Sequence, residues 1–306
     1  MLVHSHGDTS DPNIYFFKTF LAGGAVPAFF ILSGYLGSRK IHSPDTHWRD
    51  YTKDKFLTLV APYIFWNCLL LLLVLALKVS GLDQALKGSG GYLNVDFSSF
   101  ESIVAAFFGI GRFPLVYQFW FLRDLIVVSF AAFLICRLFP QIIFICLILP
   151  LIPLPFAASA GYFLLGLALG KTNLDFDQYR PGIFLYCVAW LILGITDSVI
   201  KDFEIQPPFL QLGGAAFFFF ASALMSRWKV GRALAVFGPM TFFVYAVHEP
   251  TQTLITKIWE KSRVPGVGTL LSFCAVPLIV FAGSVLGYVL LQRLAPTMLR
   301  LSTGNR

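Results

Sequence analysis

The segment Gln118-Phe-Trp-Phe-Leu-Arg-Asp-Leu-Ile-Val-Val-Ser-Phe-Ala-Ala-Phe-Leu-Ile-Cys-Arg-Leu-Phe139 is long and apolar enough to cross a bilayer as one helix, yet Arg123 and Asp124 lie near its start. An ionisable side chain at the centre of a membrane helix costs about 3 kcal/mol on insertion scales, so such groups usually face a protein interior or a watery cavity. Trp120 and Val127 share the helical face of this pair. We therefore predict that this face points inward and that the ion pair has a function, with a structural tie between helices as the alternative.

The composition of the whole chain predicts an all-α, polytopic membrane helix bundle. Of the 306 residues, 57% are hydrophobic and only 13% are charged, which separates the chain from ordinary soluble proteins. The net charge of +7 resides in short loops, and no basic stripe alternates with exposed aromatic residues, so we predict no nucleic-acid partner. The five cysteines fall in apolar segments without metal-ligand spacing and are interpreted as small core residues.

Nine apolar segments are candidates for membrane spans, at ~20 residues per helix. They are 18–37, 56–79, 118–139, 142–154, 156–170, 181–200, 208–226, 234–256 and 268–293. The fourth is short and ends among Pro150, Pro153 and Pro155, so it forms either a tight hairpin or a re-entrant pair with the fifth. The longest connection, residues 80–116, includes an amphipathic piece around 100–110 that lies on the membrane surface or covers a site.

The distribution of basic residues predicts the orientation of these spans. Fourteen of the 23 Lys and Arg lie in one set of loops and eight in the other, with Arg123 inside a span, so the first set is cytoplasmic. The C-terminus is then inside and the visible N-terminus outside. The abrupt start at Met1 predicts that a tenth helix precedes it, so that residues 1–306 form one N-terminally incomplete domain in the inner (plasma) membrane.

Two polar segments suggest sites near the first span. His4, His6 and Asp8 could hold a metal, but three ligands on one short segment favour a His acting as proton acceptor, or a solvated tail, and we predict no metal. In the segment 26–40, the small pair Ser33-Gly34 precedes a basic cytoplasmic end. The pair either allows close helix packing or, with Gly37, opens a cytoplasmic cleft for the phosphates of a nucleotide-like donor. The candidate donor-binding residues are Ser33, Arg39, Lys40, Lys53 and Lys55.

A polar stripe marks the eighth span. Its members are Thr241, Tyr245, His248, Glu249 and Gln252, which share one helical face. His248 lies ~21 Å along this helix, in the outer third of a core ~30 Å thick. By the same counting, His4, Arg123, Asp124, His248 and Glu249 reach a similar depth.

Three quoted segments in order, Val26-Pro-Ala-Phe-Phe-Ile-Leu-Ser-Gly-Tyr35, Gln118-Phe-Trp-Phe-Leu-Arg-Asp-Leu125 and Phe243-Val-Tyr-Ala-Val-His248, together resemble the integral membrane acyltransferase 3 family. The segment 53–63 is similar to the basic entry of that family into an apolar helix. The resemblance implies ten spans and transfer of an acyl group, acetyl or sometimes succinyl, from cytoplasmic acyl-CoA to a sugar hydroxyl of a cell-surface or exported glycan. It also implies a first helix that ends in His and a small polar residue, which Val3-His4-Ser5 matches.

The resemblance gives the polar residues candidate roles. Transfer to a hydroxyl needs a base, for which His4 is the candidate, and a group that stabilises an oxyanion, for which Arg123 is the candidate with Asp124 orienting it. Tyr245, His248 and Glu249 would line the acceptor pocket or relay protons, and Trp120 would contact substrate. A covalent acyl-enzyme is possible, although no Gly-x-Ser-x-Gly elbow supports one. A glycan-precursor transporter or flippase is the alternative function, and a structural membrane subunit is a third.

Overall fold

The computed structural model of the chain describes residues 11–81, 95–152, 156–172, 180–200, 207–261 and 270–304. These residues form helices and no β-strand, as the composition predicts. The α-helices are α1 (Pro12–Tyr15), α2 (Ala25–His42), α3 (Trp48–Lys55), α4 (Ala61–Val79), α5 (Phe100–Phe108), α6 (Trp120–Leu138), α7 (Ala157–Thr172), α8 (Arg180–Ile200), α9 (Pro207–Ser226), α10 (Lys229–Ala235), α11 (Thr241–Lys261), α12 (Leu270–Leu294) and α13 (Pro296–Thr303).

Five helical runs in the described part of the chain are long and apolar enough to cross a membrane. They are Pro12–His42, Trp48–Val79, Tyr117–Leu138, Pro181–Ser198 and Ser272–Leu294. Lys229–Ala235 and Gly238–Trp259 form a sixth candidate, a pair bent by 40°. The protein is therefore an all-α membrane protein, while the full number of nine spans stays a prediction.

The fourth predicted span is not an α-helix. Its residues form two 3₁₀ segments, Pro140–Leu147 and Leu149–Leu151, in the proline-rich region where the sequence already predicted a break. Pro150 lacks an N–H and disfavours α-helical geometry in the residue before it, which explains the loss of regular helix. Gly161 of α7 lets this segment approach closely, because a Cβ there would lie 2.5 Å from the Pro150 Cδ.

The described residues divide into two compact units. The first contains residues 11–47, 127–238 and 258–278, and the second contains residues 48–126, 239–257 and 279–304. In the first unit, Gly34 of α2 packs against the Phe163 carbonyl of α7, and Gly166 of α7 packs against the Ile31 carbonyl of α2. A Cβ at either glycine would overlap that backbone, so small residues set the distance between these helices.

Two helices of the first unit, α2 and α7, run in the same direction, as the predicted topology requires, while the side of the membrane on which they end stays a prediction. Close approaches pair Gly166 with Ile31 and, four residues further along both helices, Gly170 with Tyr35, so α2 and α7 run in the same direction. At the end of α2, Arg137 donates from Nη2 to the carbonyls of Ser43 and Thr46, each at 2.7 Å. Arg137 thus fixes the segment that follows α2, in addition to any role in setting the membrane topology.

The second unit joins the C-terminus of the chain to α4. The Trp66 indole Nε1 donates to the Ser302 carbonyl at 2.9 Å, and Phe243 packs edge-on against Tyr288 with ring centroids 5.9 Å apart. Gly304 caps α13 in a left-handed conformation and lies against the backbone of Thr58. These contacts join α4, α11, α12 and α13 in the unit that also contains the start of α6.

Candidate active site

The Arg123–Asp124 pair sits in the first turn of α6, in the second unit. Arg123 donates from Nε and Nη2 to the same carboxylate oxygen, Asp124 Oδ1, at 3.0 and 2.8 Å. The side chain of Asp124 is 7% exposed and that of Arg123 23%, so the acidic side chain is buried while part of the arginine side chain remains accessible. The pair can therefore present positive charge to a bound molecule without leaving Asp124 uncompensated.

The inward face of α6 differs from the predicted one. Val127 is 45% exposed, whereas Phe121, Leu122 and Leu125 are buried. The helical-face rule places Val127 beside Arg123, but the Phe and Leu side chains determine which side turns to the core. The prediction is thus right for Asp124 and wrong for Val127.

The amphipathic part of the long connection forms α5, whose C-terminal end contacts Arg123. Arg123 Nη1 donates to the Gly109 carbonyl at 2.8 Å, at the end of α5. Gly109 has a φ of 67°, which favours glycine, and a Cβ there would lie 2.7 Å from Arg123 Nη1. The C-terminal cap of α5 is thus one of the contacts that fix the guanidinium, and the choice between the two predicted arrangements of α5 stays a prediction.

Tyr63 and Asn67 of α4 hold α5 and the segment that follows it in place. The Tyr63 hydroxyl donates to the Phe107 carbonyl at 2.7 Å. The completely buried Asn67 accepts the Val116 N–H at Oδ1 (3.2 Å) and donates from Nδ2 to the Tyr63 carbonyl at 2.9 Å. Neither role was predicted from the sequence; the signal for Asn67 was a lone amide in an apolar span.

The start of α6 is tied to α11 by Gln118 and Tyr245. Gln118 Nε2 donates to the Ala246 carbonyl at 2.8 Å, and the Tyr245 hydroxyl donates to the Gln118 carbonyl. Tyr245 also stacks on Phe119, with ring centroids 5.7 Å apart. The Tyr245 hydroxyl, predicted to contact substrate, is therefore used at least in part to join two helices.

His248 and Glu249 lie about one turn after Tyr245 on α11, and both are buried. His248 Nδ1 lies 2.6 Å from the Tyr245 carbonyl, and because a carbonyl only accepts, Nδ1 carries the proton and Nε2 is the basic nitrogen of the neutral ring. The Thr253 hydroxyl donates to Glu249 Oε1 at 3.3 Å. This arrangement suits a histidine that accepts or relays a proton.

The structure places the six described candidates for catalysis and substrate contact in the second unit. The six are Trp120, Arg123, Asp124, Tyr245, His248 and Glu249. His4 lies outside the described residues, as do His6 and Asp8. In the part of the chain that the structure describes, no group of three His, Cys, Asp or Glu side chains has the arrangement of a metal site.

The candidate donor-binding residues fall in both units. Ser33 and Arg39 lie on α2 in the first unit, and Lys53 and Lys55 lie on α3 in the second. Gly34 does not open a cleft, because the backbone of α7 occupies the space beside it. The close-packing interpretation therefore holds at Gly34, and donor binding by the four polar residues stays a prediction.

Comparison with known proteins gives two matches and one negative result. The model of the acyltransferase 3 family, described as an acyltransferase domain, matches residues 1–289. The succinoglycan biosynthesis protein ExoH of Rhizobium meliloti (strain 1021) is 24% identical over 304 residues, covering 92% of this chain and 79% of that protein. No solved structure matches the chain significantly.

Proposed function

Because the chain belongs to the acyltransferase 3 family, we propose that it transfers an acyl group from a cytoplasmic acyl-CoA to a hydroxyl of a cell-surface or exported polysaccharide. We propose acetyl-CoA as the donor, with succinyl transfer by the same mechanism as the alternative. The polysaccharide acceptor is supported by the similarity to a protein named for succinoglycan biosynthesis. The cell membrane is the proposed location, in keeping with the five candidate spans.

The observation that carries this proposal is the fixed guanidinium of Arg123, whose side chain is partly accessible. Asp124 and the Gly109 carbonyl hold it from two sides, so it needs little reorganisation before it meets developing negative charge. A donor placed in advance at an oxyanion typically contributes 10²–10³ in rate, about 2.7–4 kcal/mol. We assign this role to Arg123 and the role of orienting it to Asp124.

The proposed reaction moves one proton and exchanges one bond. A base takes the proton of the sugar hydroxyl as its oxygen attacks the thioester carbonyl, and Arg123 stabilises the oxyanion of the tetrahedral intermediate. The carbon–sulfur bond then breaks, the thiol leaves with the proton returned by the base, and an ester remains on the glycan. We assign His4 as this base, with His248 and Glu249 as a relay.

The remaining predicted residues receive binding roles in this proposal. Trp120 and Tyr245 adjoin the pair and the histidine and would contact the acceptor. Ser33, Arg39, Lys53 and Lys55 would hold the donor at the cytoplasmic face, where the positive charges of the last three complement the phosphates of CoA.

Analysis of the polysaccharide of living cells tests this function. Exported polysaccharide from cells with the gene, without it, and complemented with the parent chain is examined for ester-linked acetyl and succinyl groups by NMR before and after mild alkali. We expect one of these esters to disappear with the gene and to return on complementation. Unchanged esters combined with a fall in exported polysaccharide would instead favour the transport alternative.

A further inference from the structure

A cavity of about 590 Å³ lies in the first unit, between α2, α7, α8 and α9. Fifteen residues line it, and twelve of them carry only hydrocarbon side chains. Ala215, Ala216 and Ala223 supply small side chains along α9, which leave room beside that helix. A space of this composition fits a hydrocarbon chain, and we name it the α9 groove.

The α9 groove is long enough to hold a lipid tail. Its lining runs along α9 from Leu212 to Arg227, fifteen residues apart, which corresponds to about 22 Å at 1.5 Å per residue. One leaflet contributes about 15 Å, half of a hydrocarbon core of ~30 Å. An acyl chain of a membrane phospholipid can therefore lie along the groove over the full depth of its leaflet.

One end of the α9 groove is basic. Arg227, which lines it, directly follows the last residue of α9. Gly24, directly before α2, touches Gly214 in the first half of α9. Further along, Leu32 and Tyr35 of α2 line the groove with Ala223 and Leu224 of α9, so both helices run towards the Arg227 end. Lys40 lies in the last turn of α2 and Lys171 in the last turn of the parallel helix α7. The groove thus joins an apolar channel to a region of positive charge at the predicted cytoplasmic surface.

We propose that the α9 groove binds one anionic phospholipid of the cytoplasmic leaflet, with an acyl chain along α9 and the phosphate at Arg227. A guanidinium binds phosphate oxygens in a bidentate manner and is more weakly hydrated than an ammonium, which suits the membrane surface. Tyr35 and Tyr186, whose side chains are exposed, border the groove and fit the amphipathic zone of a lipid. None of the fifteen lining residues is among those assigned to acyl transfer or donor binding.

The chemistry of the lining argues against acyl-CoA as the occupant. The pantetheine arm of CoA carries amides, and an amide in an apolar environment costs several kcal/mol without hydrogen-bond partners. Among the fifteen lining residues, polar side-chain groups come only from Tyr35, Tyr186 and Arg227. A lipid tail leaves no such group unsatisfied.

Native mass spectrometry of the whole chain tests the proposal. The protein is reconstituted in nanodiscs of equal parts phosphatidylglycerol and phosphatidylethanolamine, released into mild detergent, and the lipids that stay bound are identified. We expect one retained phosphatidylglycerol on the parent and about fivefold less on Arg227→Gln, the ratio given by about 1 kcal/mol per cationic side chain. Arg232→Gln is the matched control, because Arg232 is exposed on α10 and does not line the groove.

A second pair of variants tests the tail independently of the charge. Ala216→Phe fills the groove and should displace the lipid whatever its headgroup, whereas Ala235→Phe on the exposed surface of α10 should not. Equal retention by Arg227→Gln and Arg232→Gln would overturn the proposal. Equal retention of the two headgroups, or displacement of the lipid from the parent by added acetyl-CoA, would also overturn it.

Discussion

The side-chain amide of Gln118 donates to the carbonyl of Ala246 at 2.8 Å, one helical turn before Pro250. In a regular helix that carbonyl would accept the N–H of residue 250, which proline lacks. Gln118 therefore donates to the Ala246 carbonyl, which Pro250 leaves without its usual helical donor, close in sequence to His248 and Glu249. Inside a membrane an unsatisfied carbonyl is costly, so this bond fixes α6 against α11 where both carry site residues.

Gln118→Ala should lower stability by about 1–3 kcal/mol, because it leaves the buried Ala246 carbonyl without this donor. Pro250→Ala restores a backbone N–H at the position that can reach the same carbonyl. The loss caused by Gln118→Ala should consequently be smaller in the Pro250→Ala background, which thermal unfolding of the four proteins in detergent measures. An equal loss in both backgrounds would show that the bond does not compensate for the proline.

The Arg123–Asp124 pair should be separable into a folding role and a catalytic role. Arg123→Leu alone leaves a buried carboxylate without its close cation and should reduce the amount of folded protein. Combining it with Asp124→Leu should restore membrane abundance while polysaccharide ester formation stays at least about 100-fold below the parent. Quantitative immunoblotting and NMR of the polysaccharide measure the two quantities. A double variant that folds and still acylates would reduce the pair to a structural tie.

Gly109→Ala should disturb Arg123 more than backbone strain alone explains. The added Cβ would lie 2.7 Å from Arg123 Nη1, and the φ of 67° costs a non-glycine residue about 1–2 kcal/mol. Gly111 is a matched control, because its φ is 66° and a Cβ there meets nothing within 4 Å. We expect Gly111→Ala to retain most ester formation at equal abundance and Gly109→Ala to lose most of it. Similar losses would mean that only the loop conformation matters.

Neutralising the two lysines of α3 should weaken binding of the donor. Each cation in contact with a phosphate in water contributes about 1 kcal/mol, or about fivefold, so Lys53→Gln with Lys55→Gln should raise the Kd of acetyl-CoA at low salt. The effect should shrink as salt rises, because exposed charges are screened. Lys229→Gln with Arg232→Gln on α10 is the control for general surface charge. If both double variants bound acetyl-CoA like the parent, the α3 lysines would be only determinants of topology.

The sequence predicts the helices better than the contacts between them. Apolar length alone places a span at 181–200, and α8 is Arg180–Ile200, because the membrane requires a continuous apolar surface whatever the helix packs against. The roles of Gln118, Asn67 and Gly109 could not be predicted in this way. Each depends on a carbonyl or N–H from a distant segment, and no periodicity in the sequence records such a pairing.

The last prediction concerns the base, for which His4 and His248 are the two candidates. His4→Ala should abolish polysaccharide ester formation at unchanged membrane abundance, because without a base the hydroxyl proton has no acceptor as the oxygen attacks. His6→Ala is the control. If this segment were only a solvated tail, replacing His4 and replacing His6 should have the same effect on ester formation. His248→Ala should lower the rate less, if His248 acts as a relay rather than as the base. Full activity in His4→Ala with complete loss in His248→Ala would transfer the assignment to His248, whose Nδ1 contact with Tyr245 already leaves Nε2 as the basic nitrogen.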